Sequence, residues 1–256
     1  MKRILIALFL SLCIEQNINA QFTDTSKVKI PFSVAFISLN AGACVPLGKY
    51  QTQGFAQTSY CTSIMAASTM DDSILGFAAK IGYGVNSVNE NAFAQSINEN
   101  NSSYSNSILS IGHYSYETGL VGIYFAGRSC RKFGFNIRLL IGYMFTQTPQ
   151  VTLSTYDPNY GGSYFQGLYS SSTGGFCYNP GIGFTYLVGK HLSLFADADY
   201  MHANPQFFLQ GWVQGVSGTS LGPVQNYIAG AITRPFTITT ITVGIGFKLP
   251  GLHFYN

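Results

Sequence analysis

The chain has 256 residues, with 13 Lys and Arg against 10 Asp and Glu, and only 9 % of its side chains are charged, where a soluble domain of ordinary composition carries about 25 %. It cannot clothe a water-facing surface of its size in charge, and a formal net charge of +3 without clustering of the basic residues excludes a nucleic-acid footprint. Aromatic residues reach 15 % and glycines number 28, while no internal run approaches the roughly 18–20 apolar residues of a membrane helix, so a chain of this composition meets lipid with strands closed into a barrel.

The start of the chain reads as an export signal. Met1-Lys2-Arg3 is short and basic, residues 4–13 are apolar, and Ile18-Asn19-Ala20 ends on a small residue before Gln21, the arrangement of a cleaved secretory signal peptide that is too short to be an anchor. Lipid attachment at Cys13 is the competing reading, but Leu12 is bulky where such a site wants a small residue. Residues 1–20 are expected to be a signal peptide and residues 21–256 a barrel domain with no further module. Export permits disulfides. Cys44, Cys61, Cys130 and Cys177 are nevertheless scattered and lack metal-ligand spacing, which favours unpaired small residues.

Period-two alternation, the mark of a strand with two different faces, then recurs. It is loose over 33–45 and 55–67. It is clean over 73–86, where Leu75, Phe77, Ala79, Ile81 and Tyr83 alternate with Gly76, Ala78, Lys80 and Gly82. It is loose again over 111–127. Over 132–147, the bulky set Phe133, Phe135, Ile137, Leu139, Ile141, Tyr143 and Phe145 alternates with Gly134, Asn136, Arg138, Leu140, Gly142, Met144 and Thr146. Segments 176–188, 191–204 and 236–249 repeat the pattern, with Asp197, Asp199 and Lys248 on their small or polar face. The three connections 68–72, 128–131 and 189–190 are short; 46–54, 87–110, 148–175 and 205–235 are long, and the two kinds alternate strictly. All long loops therefore fall at one end, the layout of an outer-membrane barrel with short periplasmic turns. The expected fold is all-β, a transmembrane antiparallel up-and-down barrel of eight strands. A hairpin of "FFLQGWVQGV" and "VQNYIAGAI", hidden within 207–235, would make it ten.

A soluble, lipocalin-like barrel would turn the bulky faces inward, and seven large side chains from one strand would crowd an eight-stranded interior. Lipid outside and a packed polar lumen inside is the better reading.

Four stretches carry a resemblance. "GACVPLGKY" is similar to the first strand and loop of the OmpA-like outer-membrane β-barrel family, and "IRLLIGYMFTQTPQV" and "PGIGFTYLVGKHLSLFADADY" resemble its central and late hairpins. "TVGIGFKL" resembles the C-terminal barrel-assembly signal, with Thr242, Gly244, Phe247 and Leu249 in its polar, glycine and apolar positions. The tail 250–256 departs from the pattern, since many such barrels end on the aromatic. The resemblance implies residence in the bacterial outer membrane, with outer-membrane lipids and the barrel-assembly machinery as partners.

Residues able to carry chemistry are few. "SVNENAFAQSINENNSSYSNS" and "STYDPNYGGSYFQGLYSSSTGG" are polar, tyrosine-rich outer loops, suited to contact with an extracellular ligand that the sequence leaves unnamed. His113 and His202 lie toward the outer end, as in lipid-modifying barrel enzymes, but no serine or acid is aligned with His202 in the way a nucleophile and base require. Asp71-Asp72 reads as turn residues rather than a metal pair. No enzyme activity, metal or cofactor is expected, and the role is structural or interactive through the outer loops, with a small porin-like channel as the alternative. Within the wall, Lys80, Glu117, Arg138, Asp197 and Asp199 are expected to form a charge network that plugs the lumen, with Lys248 nearer the periplasmic rim. Glu117 belongs to a strand whose parity is the least clear.

Overall fold

The computed structural model describes residues 35–70, 73–100, 105–128, 132–158, 162–217 and 220–249. The expected signal peptide, Asp71-Asp72, Cys130 and the tail 250–256 lie outside them. Eight strands close into one barrel: β1 (Ala35–Pro46), β2 (Ser59–Thr69), β3 (Leu75–Asn86), β5 (Tyr114–Arg128), β6 (Phe133–Gln147), β9 (Ser172–Leu187), β10 (Leu192–Ala203) and β13 (Phe236–Lys248). Each pairs antiparallel with its neighbours in chain order, and β1 pairs with β13, from Phe36 opposite Lys248 to Pro46 opposite Ile238, to seal the wall. This is a transmembrane up-and-down barrel of eight strands.

The two faces of the wall separate by parity. Ile37, Leu39, Ile64, Ile81, Val121, Ile137, Leu139, Ile141, Ile182, Leu194, Ile241, Val243 and Ile245 project outward and stay exposed. Phe77, Phe125, Phe133, Phe135 and Phe247 ring the short-turn end of that belt, and Tyr60, Tyr83, Tyr143, Phe145, Tyr178 and Tyr200 ring the other. An apolar band between two aromatic girdles is the outer surface of a membrane barrel. Water would have to solvate every one of these side chains, whereas lipid does so at no cost.

The remaining strands correct the expectation for the long loops. β4 (Ser105–Ile111), β7 (Val151–Asp157), β8 (Gly162–Leu168), β11 (Gln206–Ser217) and β12 (Ser220–Thr233) form a separate five-stranded sheet in the order β12-β11-β8-β7-β4. The hairpin suspected within 207–235 exists as β11 and β12, but it pairs with β8 rather than with the wall, so the ten-stranded alternative is overturned. Each outer strand continues one barrel strand across a break of two or three residues, and the outer order repeats the wall order β13-β10-β9-β6-β5. Pro149, Pro205 and Pro235 occupy three of the five breaks. Proline has no N–H for the ladder and fixes its own φ, so the wall bends there instead of running on. The bends remain paired: Gly112 donates its N–H to Gln150 O, Thr148 to Ser171 O and Arg234 to Pro205 O.

Above β1, β2 and β3 the rim is built differently. A short helix, α1 (Gly48–Thr52), follows β1, and α2 (Glu90–Asn100) follows β3, where the Asn89 side chain accepts the Ala92 N–H as an N-cap. The strand expected from residue 55 begins only at Ser59, because Phe55 sits at φ 55°, a left-handed conformation that costs a bulky residue about 1–3 kcal/mol and cannot continue a strand. Ala56 instead bridges Val88 across the rim.

An arginine at Val243, midway up the lipid face, should lower the unfolding free energy measured by urea in lipid vesicles by about 2–4 kcal/mol, while Val188→Arg at the rim should cost about 0–1 kcal/mol. Equal losses at the two depths would mean that the belt does not face lipid.

Candidate functional site

The lumen is organised around Arg138. On β6 its side chain points inward and is 1 % exposed. Its Nη1 donates to Asp197 Oδ1 at 2.7 Å and to Asn136 Oδ1 at 2.7 Å, and its Nε and Nη2 donate to Asp199 Oδ1 at 2.9 and 2.7 Å. The other oxygen of Asp199 accepts from Lys80 Nζ at 2.6 Å. Two cations thus face two carboxylates, so the cluster is neutral. A guanidinium buried this deeply needs several donors satisfied at once, since its desolvation otherwise exceeds the Coulombic gain.

Arg138 and the two aspartates are not on neighbouring strands: β9 lies between β6 and β10. The contact is possible because β9 presents Gly181 and Gly183 to the lumen there. Gly181 stands opposite both Arg138 and Asp199, and Gly183 opposite both Asn136 and Asp197. A Cβ built on Gly181 would come within 1.9 Å of Asp199 Oδ1, and one on Gly183 within 2.1 Å of Asp197 Oδ1. The two glycines form a trough across which the side chains meet. Parity along the sequence groups the charges but does not single out this stretch, "PGIGF", although an alternating glycine pair beside a buried charge is the available signal.

Parity also groups Glu117 with this network, and here the structure differs. On β5 the inward set is Tyr114, Tyr116, Thr118, Leu120, Tyr124 and Ala126, all buried, and Glu117 is exposed on the outward face. The tyrosines of this strand fill the lumen instead of the girdle, which inverts the parity that bulk alone suggests. Lys248 lies at the short-turn end beside Phe36, Tyr124 and Phe195 around a cavity of about 50 Å³. Of the expected assembly signal, Thr242 and Gly244 face inward, Phe247 faces outward in the girdle, and Leu249 follows the last strand, its N–H bonded to Ala35 O.

Packing above and below the ions fills the barrel. Phe36 stacks against Phe195 at 4.8 Å and meets Tyr124 edge-on at 5.9 Å on the short-turn side. Met65 stands opposite Lys80 beside the ions, and on the other side Leu140, Met144 and Ile238 are fully buried. Above them Asn86 joins the rim: it accepts from Tyr50 OH and Cys44 Sγ and donates to the carbonyls of Cys44 and Gln57. Burial without a compensating charge pushes the Tyr50 hydroxyl well above its ordinary pKa. A second lumen cavity, beside Lys80, Ser63 and Asn179, is about 20 Å³, room for about one water. Cys44, Cys61 and Cys177 are buried free thiols. His202 turns outward against Tyr178 and pairs its Nδ1 with Thr237 Oγ1 at 2.8 Å; His113 lies exposed in the break between β4 and β5, with two wall strands separating β5 from β10.

The outer sheet is the second candidate surface. Its two end strands, β12 and β4, each have one partner strand among the described residues. β12 is exposed almost throughout, with Leu221, Val224, Tyr227 and Ile228 open and Ile228 82 % exposed; Phe208 on β11 is 65 % exposed. These apolar groups stand beyond the girdle, where there is no lipid to cover them.

A closed eight-stranded wall with an unbroken apolar belt, two girdles and a charge-balanced filling defines an outer-membrane-type β-barrel protein. No protein-family model matches the chain, and no curated protein matches its sequence. Among solved structures it is similar to a major outer membrane protein of Thermus thermophilus, at 12 % identity and a TM-score of 0.41 over 84 % of this chain and 99 % of that one. It is also similar to Ail, the attachment invasion locus protein of Yersinia pestis, at 10 % identity and a TM-score of 0.39 over 85 % and 98 % of the two chains, and to the β domain of the Bordetella autotransporter BrkA, at 10 % and 0.31 over 86 % and 99 %. The class rests on the strand order and the two faces of the wall, not on these likenesses.

Arg138→Ala should cost on the order of 3–5 kcal/mol in vesicle unfolding, because it leaves buried carboxylate uncompensated. Arg138→Met combined with Asp197→Leu keeps the Lys80–Asp199 pair and a neutral lumen, and should be clearly milder than the single change. Gly181→Ala should cost about 1–3 kcal/mol by overpacking, with the loss shrinking in an Asp199→Ala background. Wild-type stability for Gly181→Ala would refute the trough.

Proposed function

We propose that the protein is exported by its signal peptide, is inserted by the barrel-assembly machinery into the bacterial outer membrane among its lipids, and acts there as a non-enzymatic surface-contact protein of OmpA-like kind. The observation that carries this reading is the outer sheet. Five of the eight wall strands are continued beyond the aromatic girdle, at the cost of ordering several dozen residues, and the surface so built is apolar and open at β12. Exposed apolar patches of this sort mark interaction sites, and a free strand edge adds unpaired backbone donors and acceptors. The barrel is the anchor and the sheet is the working part.

The ion cluster supports an anchor better than a conduit. An eight-stranded interior is only just filled by side chains, and here Arg138, Met65, Leu140 and Met144 occupy it. The outer face of the sheet suits a partner that offers apolar surface.

Cells displaying the protein should bind octyl-coated beads well above cells lacking it, and Phe208→Ser with Ile228→Ser should remove most of that gain at matched surface amount. Planar-bilayer recordings of the same protein should stay silent. Unchanged bead binding by the double variant, or steady conductance steps from the wild type, would replace this reading with the channel alternative or neither.

A further inference from the structure

The rim holds a cavity that the surface-contact reading does not use. It lies beneath the inner face of the outer sheet, which supplies Ile111, Leu209 and Ile232, and is closed on the other side by Phe93 of α2 together with Val88 and Phe55. Its volume is about 90 Å³. A cavity of roughly 150 Å³ takes benzene, so this one suits an aliphatic group of roughly four carbons. Two features separate it from a packing fault. Phe55, whose ring meets Phe93 edge-on at 5.5 Å, is the bulky residue held in the left-handed region, and strain of this kind concentrates at ligand clamps. The cavity also has one cation, Arg234, at its polar margin beside Gln53 and Tyr114.

Arg234 is fixed there by the bend between β12 and β13: it precedes Pro235, and its N–H is bonded to Pro205 O. Its Nη1 donates to Gln53 O at 3.3 Å, a long bond. Among the described residues it has no carboxylate partner, in contrast with Arg138. It also hydrogen-bonds the Tyr114 hydroxyl, but no carboxylate answers the charge of this half-buried guanidinium, whose fork is the one that binds carboxylates. An apolar chamber with a cation at its margin that has no carboxylate partner among the described residues is complementary to one kind of guest: a small molecule with a short alkyl chain and a carboxylate.

We propose that the cavity between the outer sheet and α2 is a binding site for short-chain aliphatic carboxylates, with the alkyl group against Phe55, Phe93 and Leu209 and the carboxylate on Arg234. The site is independent of whether the outer sheet contacts other surfaces, because its walls face inward. Pentanoate is the probe, with acetate lacking the chain, 1-pentanol lacking the charge and decanoate too long for the chamber. The protein in lipid nanodiscs, with labelled Ile, Leu and Val methyl groups, is titrated with each. Pentanoate should shift the Ile111, Leu209 and Ile232 methyl signals saturably, and acetate and decanoate should bind at least about tenfold more weakly. Arg234→Gln should weaken pentanoate about tenfold, in line with one charge-assisted hydrogen-bonding contact, and leave pentanol unchanged. Leu209→Trp should abolish both while the barrel still resists unboiled detergent gels. The proposal is overturned by absence of saturable shifts in the wild type, by equal shifts in all variants, which would mean partition into the disc, or by equal weakening of pentanoate and pentanol in Arg234→Gln.

Discussion

A guanidinium sealed inside an eight-stranded barrel has to be answered there in full, and much of the interior follows from that requirement. Arg138 meets it with three carboxylate-directed hydrogen bonds and one to Asn136, while Lys80 takes the remaining oxygen of Asp199. Because the two aspartates lie two strands away, the intervening strand must be bare at two successive inward positions, and Gly181 and Gly183 make it so. Once that level is neutral and closed, apolar layers can occupy the spaces above and below it without leaving a charge exposed to them. The cluster adds little to net stability compared with a well-packed apolar filling; what it adds is a single geometry for three strands.

The outer sheet shows how a membrane wall becomes a structure beyond the membrane. No new layer is added. Five strands rise past the girdle, bend at breaks that include Pro149, Pro205 and Pro235, and pair again in the same lateral order. The bends keep their cross-strand hydrogen bonds, so the sheet inherits its alignment from the barrel. A sheet with open edges is an aggregation hazard in a soluble protein; one tethered at five points to a membrane barrel can leave an apolar edge open without the molecule itself moving freely.

The wall is legible in the sequence because lipid enforces one rule at every height. Within the belt every outward side chain of 133–145 and 241–247 is apolar, while the inward positions hold glycine, polar and charged residues with only a few apolar ones such as Leu140 and Met144 among them, and period two follows. Where that rule is locally suspended, the pattern misleads. β5 carries Tyr114, Tyr116 and Tyr124 inward, so bulk no longer marks the lipid face, and Glu117 reads to the wrong side. The outer strands look like loops because they bear Ser, Asn, Gln, Gly and Tyr on both faces and meet water on much of both, which erases the alternation. The charges of the lumen are visible one by one, but the trough that lets them meet is a property of spacing across three strands. Residues 61 positions apart, as Arg138 and Asp199 are, carry no local trace of it.

The same trough has a consequence for how the strands find one another. A slip of one residue between β9 and β10 would carry Asp197 and Asp199 from the lumen to the lipid face and bring Ala196 and Ala198 inward, since side chains alternate with a period of two. A slip of two would return the carboxylates to the lumen but set them against different β9 positions, away from the bare pair. Only one alignment of β6, β9 and β10 therefore brings Arg138 and both aspartates together. The cluster works as a parity check on assembly, rejecting misregistered walls by the charge they would strand in oil.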